Sequence, residues 1–438
     1  MMIKNKSSVF KSFLFFLFLA HCTSVFSLDF SNVDNALSDF FYSLQGQNEG
    51  TTSFHSLLIP LGGRSESLGG AYTGLADDIS FFDYNPAASC ILDQTEIAVF
   101  HSAWIADSAV ETLACTTRIK NLGLGAKVSC FYIPFTEYDA FGNRVASNYY
   151  SEITASLNTS YIIHPGYTFK GLALGLNAKV AYRSIPDYTD NDTGAIIQGS
   201  GFSQSAVAFM LDGGMLFQFN LAKFYYSRNA NFRIGFNASN FGVSLTNLGE
   251  TPKLDDPLPS VFAIGFSYKP INPLTFTFEF KQPVNIFNFS EYLMWSCGLG
   301  VEVKITSFFS ILSGFQLKGA NPRFSLGGEF EIKTIRFNAN YSLDLTSSFN
   351  PINRISLSAK IQLGDRGRGE SRKKVDEFYN LGVSSFANKE YDKAIDYWKQ
   401  ALALDKYFDP AINGIKIATK YQNMLNEYQN AFSKDSEK

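Results

Sequence analysis

From Thr95 to Leu363 the chain alternates between apolar and polar residues with a period of two, and that pattern limits what it can fold into. In LTFTFEFK, Phe276, Phe278 and Phe280 fall on one face, while Thr275, Thr277, Glu279 and Lys281 fall on the other. IRFNANYSLDL sets Ile335, Phe337, Ala339, Tyr341, Leu343 and Leu345 against Arg336, Asn338, Asn340, Ser342 and Asp344. RISLSAKIQL and GLALGLNAKVAYR repeat the arrangement. Successive strand side chains point to opposite faces, so each segment reads as a strand with one apolar and one polar side. Fourteen segments follow the rule, beginning near residues 95, 109, 122, 149, 171, 205, 232, 260, 274, 292, 308, 323, 335 and 354. Each runs for roughly ten residues or more, enough to cross a hydrocarbon layer when tilted near 45°.

Alternation alone fits a soluble sandwich or barrel with its apolar face inward, or a membrane barrel with that face outward. Three features favour the second. Aromatic residues make up 16 % of the chain, with 43 Phe and 22 Tyr but 3 Trp, and charged residues only 18 %. A soluble domain of ordinary composition carries more charge, whereas outer-membrane barrels carry aromatic girdles. The start, MMIKNKSSVFKSFLFFLFLAHCTSVFS, reads as a signal peptide over residues 1–27. Lys4, Lys6 and Lys11 precede a short apolar core from Phe13 to Ala20, and Val25 and Ser27 suit cleavage before Leu28. A lipidated Cys22 is the rival reading, with His21 a poor fit before it. Connections after even strands are mostly short (KN at 120–121, PINP at 270–273), and those after odd strands are often long and polar, as in TEYDAFGNRVASN and TNLGETPKLDDPLP. NLAKFYYSRNAN and GANP depart from that rule. An even strand count sends both ends of the barrel to the periplasmic side, so both termini are expected there.

Between the signal and the first strand lies SESLGGAYTGLADDISFFDYNPAA, residues 65–88. Ser67, Gly69, Gly70, Ala71, Gly74, Asp77, Asp78, Asn85, Pro86 and Ala87 in this order resemble the N-terminal signature of the FadL family of outer-membrane long-chain fatty acid transporters. The Asn-Pro-Ala stands about eight residues before the first strand. The resemblance is close over this segment and rests on strand number and pattern over the barrel. The whole layout, helical tail included, is similar to a spirochaetal branch of FadL-like proteins. The resemblance implies that residues 28–94 fold into the lumen as a hatch inside a barrel formed by residues 95–364. It also implies capture of a hydrophobic small molecule such as a fatty acid at the outer loops, passage past a shifting hatch, and exit through a lateral gap. The physics of the segment agrees independently. Gly-rich backbone packs closely, and irregular backbone survives at membrane depth only when protein or water surrounds it. Asp77 and Asp78 are expected to pair with inward bases such as Lys127, Lys179, Arg183, Arg233 or Lys304. A surface linker is the plainer alternative for the segment, and the acid pair lacks a third metal ligand at close spacing.

After Leu363 the period changes. GDRGRGESRKK reads as a charged linker over residues 365–374 whose Arg366, Arg368, Arg372, Lys373 and Lys374 face solvent or lipid headgroups. Residues 375–438 then read as a small helical module, periplasmic, whose first part looks like one tetratricopeptide repeat. Phe378, Leu381 and Gly382 match first-helix positions, and Ala394, Trp398 and Ala401 match the second. Ser385 replaces a large apolar residue, and Lys406 stands where the repeat closes on Pro. Asp409-Pro410-Ala411 opens a third helix. One repeat is too short for a free-standing solenoid, so these six residues are expected to bury against the barrel rim, a second copy or a periplasmic partner.

Enzyme motifs are lacking: there is no GxSxG, HExxH or phosphate-binding loop, and His55, His101 and His164 are far apart. His101 falls in the first strand as a girdle residue. Cys90, Cys115, Cys130 and Cys297 show no CxxC spacing and read as small apolar residues. The net charge of −3 offers no attraction to nucleic acid. The expectation is an all-β transmembrane barrel of about fourteen antiparallel strands with a lumenal hatch and an all-α tail, without enzymatic activity or cofactor. It touches outer-membrane lipids and transports hydrophobic molecules. The alternatives are an assembly or secretion scaffold that recruits a periplasmic protein through the tail, and a simple diffusive porin.

Overall fold

The computed structural model describes residues 52–104, 107–138, 141–163, 169–190, 195–225, 229–249, 252–254, 257–290, 293–318, 321–345 and 353–436. The expected signal peptide, Cys22 and His164 lie outside the described residues, as does the part of the expected hatch before residue 52.

Alternation produces strands where expected: β1 (Glu96–Ala103), β2 (Ala109–Ile119), β3 (Leu122–Tyr138), β4 (Arg144–Ile163), β5 (Phe169–Ser184), β6 (Ala206–Phe219), β7 (Phe232–Thr246), β8 (Lys253–Leu254), β9 (Ser260–Ile271), β10 (Leu274–Val284), β11 (Ser296–Lys304), β12 (Phe309–Lys318), β13 (Asn321–Ile332), β14 (Ile335–Asp344) and β15 (Arg354–Gln362). Fourteen of them form a closed antiparallel barrel. Each wall strand pairs with its neighbours in sequence, and β1 pairs with β15 from Glu96↔Gln362 to Ser102↔Ser356. The two-residue β8 only extends the upper end of β7. Closure leaves no unpaired edge in the wall, which a β-structure in hydrocarbon requires.

The apolar face points outward. On β4, Leu157 is 68 % exposed while its neighbours Ser156 and Asn158 are 2 % and 4 % exposed. Val99, Leu113, Leu176, Leu211, Leu299, Leu326 and Ile355 repeat this on other strands. In water such a belt would cost far more than a soluble monomer tolerates; around a barrel it faces acyl chains. Near one end the outward aromatics form a ladder across β5, β6, β7 and β9, with Phe169, Phe219, Phe232 and Tyr268 ring to ring at 5.3–6.4 Å. This is an outer-membrane-type barrel.

Two connections differ from the sequence reading. Most of TEYDAFGNRVASN is strand, because β3 and β4 run 17 and 20 residues and pair up to Tyr138↔Arg144. The polar alternation there continues past the membrane as a projecting hairpin. The stretch over 365–374 is not an open linker: the first tail helix already starts at Arg368 and runs to Ala387. Asp365 caps it, accepting the backbone N–H of Gly367 at 2.9 Å and of Gly369 at 2.6 Å, which holds its carboxyl below the usual carboxylate range. The second and third tail helices are Tyr391–Leu404 and Asp409–Ser436.

Replacing Leu157 by Arg puts a charge into the middle of the lipid-facing wall. The L157R protein is expected to lose about 2–4 kcal/mol of unfolding free energy in lipid vesicles, read by denaturant titration against wild type.

Candidate functional site

Residues 52–94 lie inside the barrel and touch strands around its whole circumference. The wall makes room with glycine. Gly69 has φ +66°, and a Cβ there would come 2.7 Å from the Phe315 carbonyl oxygen and 2.8 Å from that of Leu299. At Gly214 on the wall a Cβ would meet Pro86 Cδ at 2.6 Å. Backbone thus packs on backbone, which only residues without side chains permit.

Irregular backbone so deep carries N–H and C=O groups that would be costly unpaired. The wall's inward polar side chains take them. Glu279 accepts from the N–H groups of Tyr72 (2.7 Å) and Thr73 (2.6 Å). Glu96 accepts from Ile79 (3.1 Å) and Ser160 from Cys90 (2.8 Å). Asn158 donates to the Pro86 carbonyl (2.9 Å), Asn177 to that of Phe82 (3.1 Å), Arg233 to that of Leu75 (2.6 Å), and Ser267 to that of Gly74 (3.0 Å). Asn85 caps the turn Pro86–Cys90 by accepting from Ala87 N–H at 3.1 Å, while its amide donates to Thr73 and Met215 carbonyls, both at 3.0 Å. Apolar side chains fill the rest: Leu61, Ala76, Ile79, Phe81, Phe82 and Ala88 pack on Ala98, Phe100 and Ala114 of the wall. Phe100 is therefore an inward aromatic, whereas His101 faces outward and bonds Glu111 at 2.7 Å.

The acid pair is held differently from the expectation. Asp78 pairs with Lys360 on β15, lies 3.6 Å from Arg64, and caps Ser80 N–H at 2.8 Å. Asp77 pairs with Arg64, whose guanidinium also reaches Glu302 (2.6 Å) and Glu329 (3.8 Å) on the wall. Of the bases expected as partners, Arg233 shares a cavity with Asp77 but bonds Leu75 O, while Lys127 takes Asp83, Lys179 takes Asp212 (2.6 Å), Arg183 takes Glu152 (3.0 Å), and Lys304 lies 3.9 Å from Glu331. Arg64 sits in GGRSES beside the Gly pair, three residues ahead of Ser67, and the sequence reading passed over it. Glu66 beside it is buried and bonded to Arg354 at 2.9 Å and Ser356 at 2.8 Å.

Of the motif residues, Ser67 donates to Gly63 O at 2.9 Å and packs under Gly327, Ala71 and Ala87 are buried, and Gly74 meets Gly265. Gly70 lies above Gln316. The ten motif residues are brought into one body that divides the lumen.

The two halves differ. Toward the long loops, a cavity of about 600 Å³ has Phe54, Leu57, Leu58, Ile59, Trp104 and Phe131 among its lining. Lys281, Lys318, Arg323 and Arg354 share the lining with Lys179, Arg183 and the acids Glu66, Asp83 and Glu152, and Arg354 stacks 4.2 Å from the Trp104 ring. Toward the short turns, a cavity of about 350 Å³ is lined by Arg64, Asp77, Lys269, Glu302, Glu329 and Arg336 among others. Outside the wall, an apolar groove of about 940 Å³ runs over β4–β10, with Leu174, Met215, Phe236 and Phe262 on its surface.

In the tail, Trp398 is sandwiched between Gly382 and Gly414 and donates to the Tyr379 carbonyl at 3.2 Å. Ala394, Trp398 and Ala401 are buried in the tail's own core with Phe378 packed against it, and Leu381 is exposed. Five of the six residues expected to form a docking face instead hold the three helices together, because the third helix supplies the cover that a second repeat would.

These features define an outer-membrane-type β-barrel with a lumenal plug and a tetratricopeptide tail. Residues 31–366 match the uncharacterised protein family UPF0164, and the chain belongs to it; residues 375–408 match the tetratricopeptide repeat. A UPF0164 protein of Treponema pallidum (strain Nichols) is 28 % identical over 386 residues, covering 86 % of this chain and 85 % of its own. A second one from the same organism is 27 % identical over 374 residues, 83 % of this chain and 74 % of its own. Among solved structures, the Pseudomonas putida toluene transporter TodX aligns with 68 % of this chain and 96 % of its own at 10 % identity and a TM-score of 0.46. A Pseudomonas aeruginosa FadL homologue aligns with 67 % and 96 % at 10 % identity and a TM-score of 0.40.

If the plug is seated by backbone contact, a side chain at Gly214 must dislodge it. The Gly214→Val protein is expected to raise single-channel conductance in planar bilayers well above wild type, whereas an equal conductance would show that Asn85–Pro86 does not seal the lumen.

Proposed function

We propose that this protein lies in the outer membrane, with its short turns and tail in the periplasm, and moves hydrophobic small molecules bearing an anionic head, long-chain fatty acids foremost. The loop-end cavity carries the reading: its apolar lining suits an acyl chain, and Lys281, Lys318, Arg323 and Arg354 in the same lining suit a carboxylate. Lys318 has no carboxylate partner among the described residues.

The cavity beneath the plug is charged, so a chain leaving by that path would be stranded among ions. Asn237 and Ala263 line both the loop-end cavity and the apolar outer groove. Direct pairing of β7 with β9 stops at Ser239↔Val261, and beyond it the seam is bridged by Asn240, whose amide donates to Pro259 O at 3.1 Å and whose carbonyl accepts from Ser260 at 2.9 Å. Sideways release through this seam leads from one apolar surface to another. The N-terminal side of the expected topology falls on residues before 52, outside the described ones.

Brominated C12–C18 fatty acids are expected to quench Trp104 fluorescence in purified protein carrying Phe at Trp295 and Trp398, and the Lys318→Gln/Arg323→Gln pair to weaken that binding about tenfold. Absence of binding by any acid of this range would remove the transport reading and leave the fold standing.

A second reading, recruitment of a periplasmic protein, is favoured by the tetratricopeptide match and by exposed Ile417, Met424 and Leu425 on the third tail helix. Deleting residues 365–438 is expected to abolish co-purification of such a partner while fatty acid uptake persists; loss of uptake instead would make the tail part of the transport path.

A further inference from the structure

At the short-turn end, the first tail helix and the end of β2 bring two guanidinium groups into one cavity at the lumen mouth. Arg368 donates from Nη1 to the Arg118 carbonyl at 3.0 Å and from Nη2 to the Asp93 carbonyl at 2.7 Å. Its Nε is buried and has no partner. Arg118 donates from Nε to the Lys120 carbonyl at 2.7 Å. Neither guanidinium is in a salt bridge among the described residues, and the neighbouring acid Asp93 is held by Arg372 at 2.7 Å.

Two like charges that line one cavity, neither of them in a salt bridge, repel each other. Carbonyl groups hold each in place without cancelling its charge, which leaves a preset fork of N–H donors. Both side chains line one cavity of about 600 Å³ between the tail and the mouth, where seven cationic side chains face five acidic ones. Among the acids, Asp77 is already paired with Arg64, and Glu96 accepts from Ile79. The helix's own first N–H groups are taken by Asp365, so the anion-attracting feature is the guanidinium pair and not the helix end.

We propose that Arg118 and Arg368 form an oxyanion site that binds a phosphate or carboxylate group between barrel and tail. A bound oxyanion relieves the repulsion and links the end of β2 to the first tail helix, so it tightens the tail over the mouth. Planar bidentate recognition of such groups is what guanidinium does best. The site is separate from the loop-end cavity and stands whether or not fatty acids are carried.

The test uses the full chain in a non-ionic detergent, titrated with inorganic phosphate by calorimetry. Saturable binding is expected, weakened at least tenfold in Arg118→Gln and partly retained in Arg118→Lys. The Arg118 side chain makes no hydrogen bond or salt bridge to the described tail residues, so the Arg118→Gln tail stays docked; unchanged Trp398 fluorescence and tryptic protection of residues 368–436 check this. A second arm places the protein in nanodiscs of phosphatidylglycerol or phosphatidylcholine. Phosphate affinity lowered by phosphatidylglycerol alone identifies a lipid headgroup as the occupant; equal affinity in both identifies a soluble anion. No saturable phosphate binding, or equal binding by Arg118→Gln, overturns the proposal.

Discussion

The structure depends on satisfying the backbone of an irregular segment where little water can do so. A strand wall pairs its own N–H and C=O groups, but residues 52–94 do so only in part, within single turns such as Ser67 N–H to Gly63 O and Ala76 N–H to Tyr72 O, because their path bends. Their polar groups are met by the wall's inward side chains, with Glu279, Asn158, Asn177, Arg233 and Ser267 each taking a backbone group. The polar lining therefore has a structural task before any solute enters. Glycines on both sides make the distances short enough for those bonds, and the buried Phe54, Phe81, Phe82 and Tyr72 add roughly 1.5–3 kcal/mol each.

Charge is used in the same economical way. Arg64 is buried and would be intolerable alone; shared among Asp77, Asp78, Glu302 and Glu329 it joins plug to wall through several partners. Removing one partner of such a cluster leaves a bare charge, which generally costs about 3–5 kcal/mol. The wall's acids and bases at the plug are thus less a selectivity filter than a set of fasteners, whereas Lys318 at one mouth and Arg118 and Arg368 at the other are in no salt bridge among the described residues.

Much of the architecture was legible in the sequence because it follows from local periodicity. The alternation in LTFTFEFK and IRFNANYSLDL determines which side chains face lipid, and strand starts fell within a few residues of the structure except at β4 and β11, where polar or aromatic loop residues blur the boundary. Pairing across the lumen was not legible. Asp78 and Lys360 are 282 residues apart, and nothing in either local pattern selects Lys360 over Lys127 or Lys179. Phe100 shows the limit from the other side: an aromatic in an alternating strand looks lipid-facing until the plug it packs on is known. In the tail, the repeat positions were read correctly as apolar, but their occupant was another part of the same chain, since Gly414 on the third helix closes over Trp398.

The Lys360–Asp78 pair has a consequence for how the barrel is made. Lys360 belongs to β15, the last strand, whose pairing with β1 shuts the cylinder. Asp78 belongs to the plug, which is synthesised long before. The ammonium that meets Asp78 thus arrives with the strand that completes the ring, so this anchor of the stopper and the closure of the cylinder depend on one and the same strand.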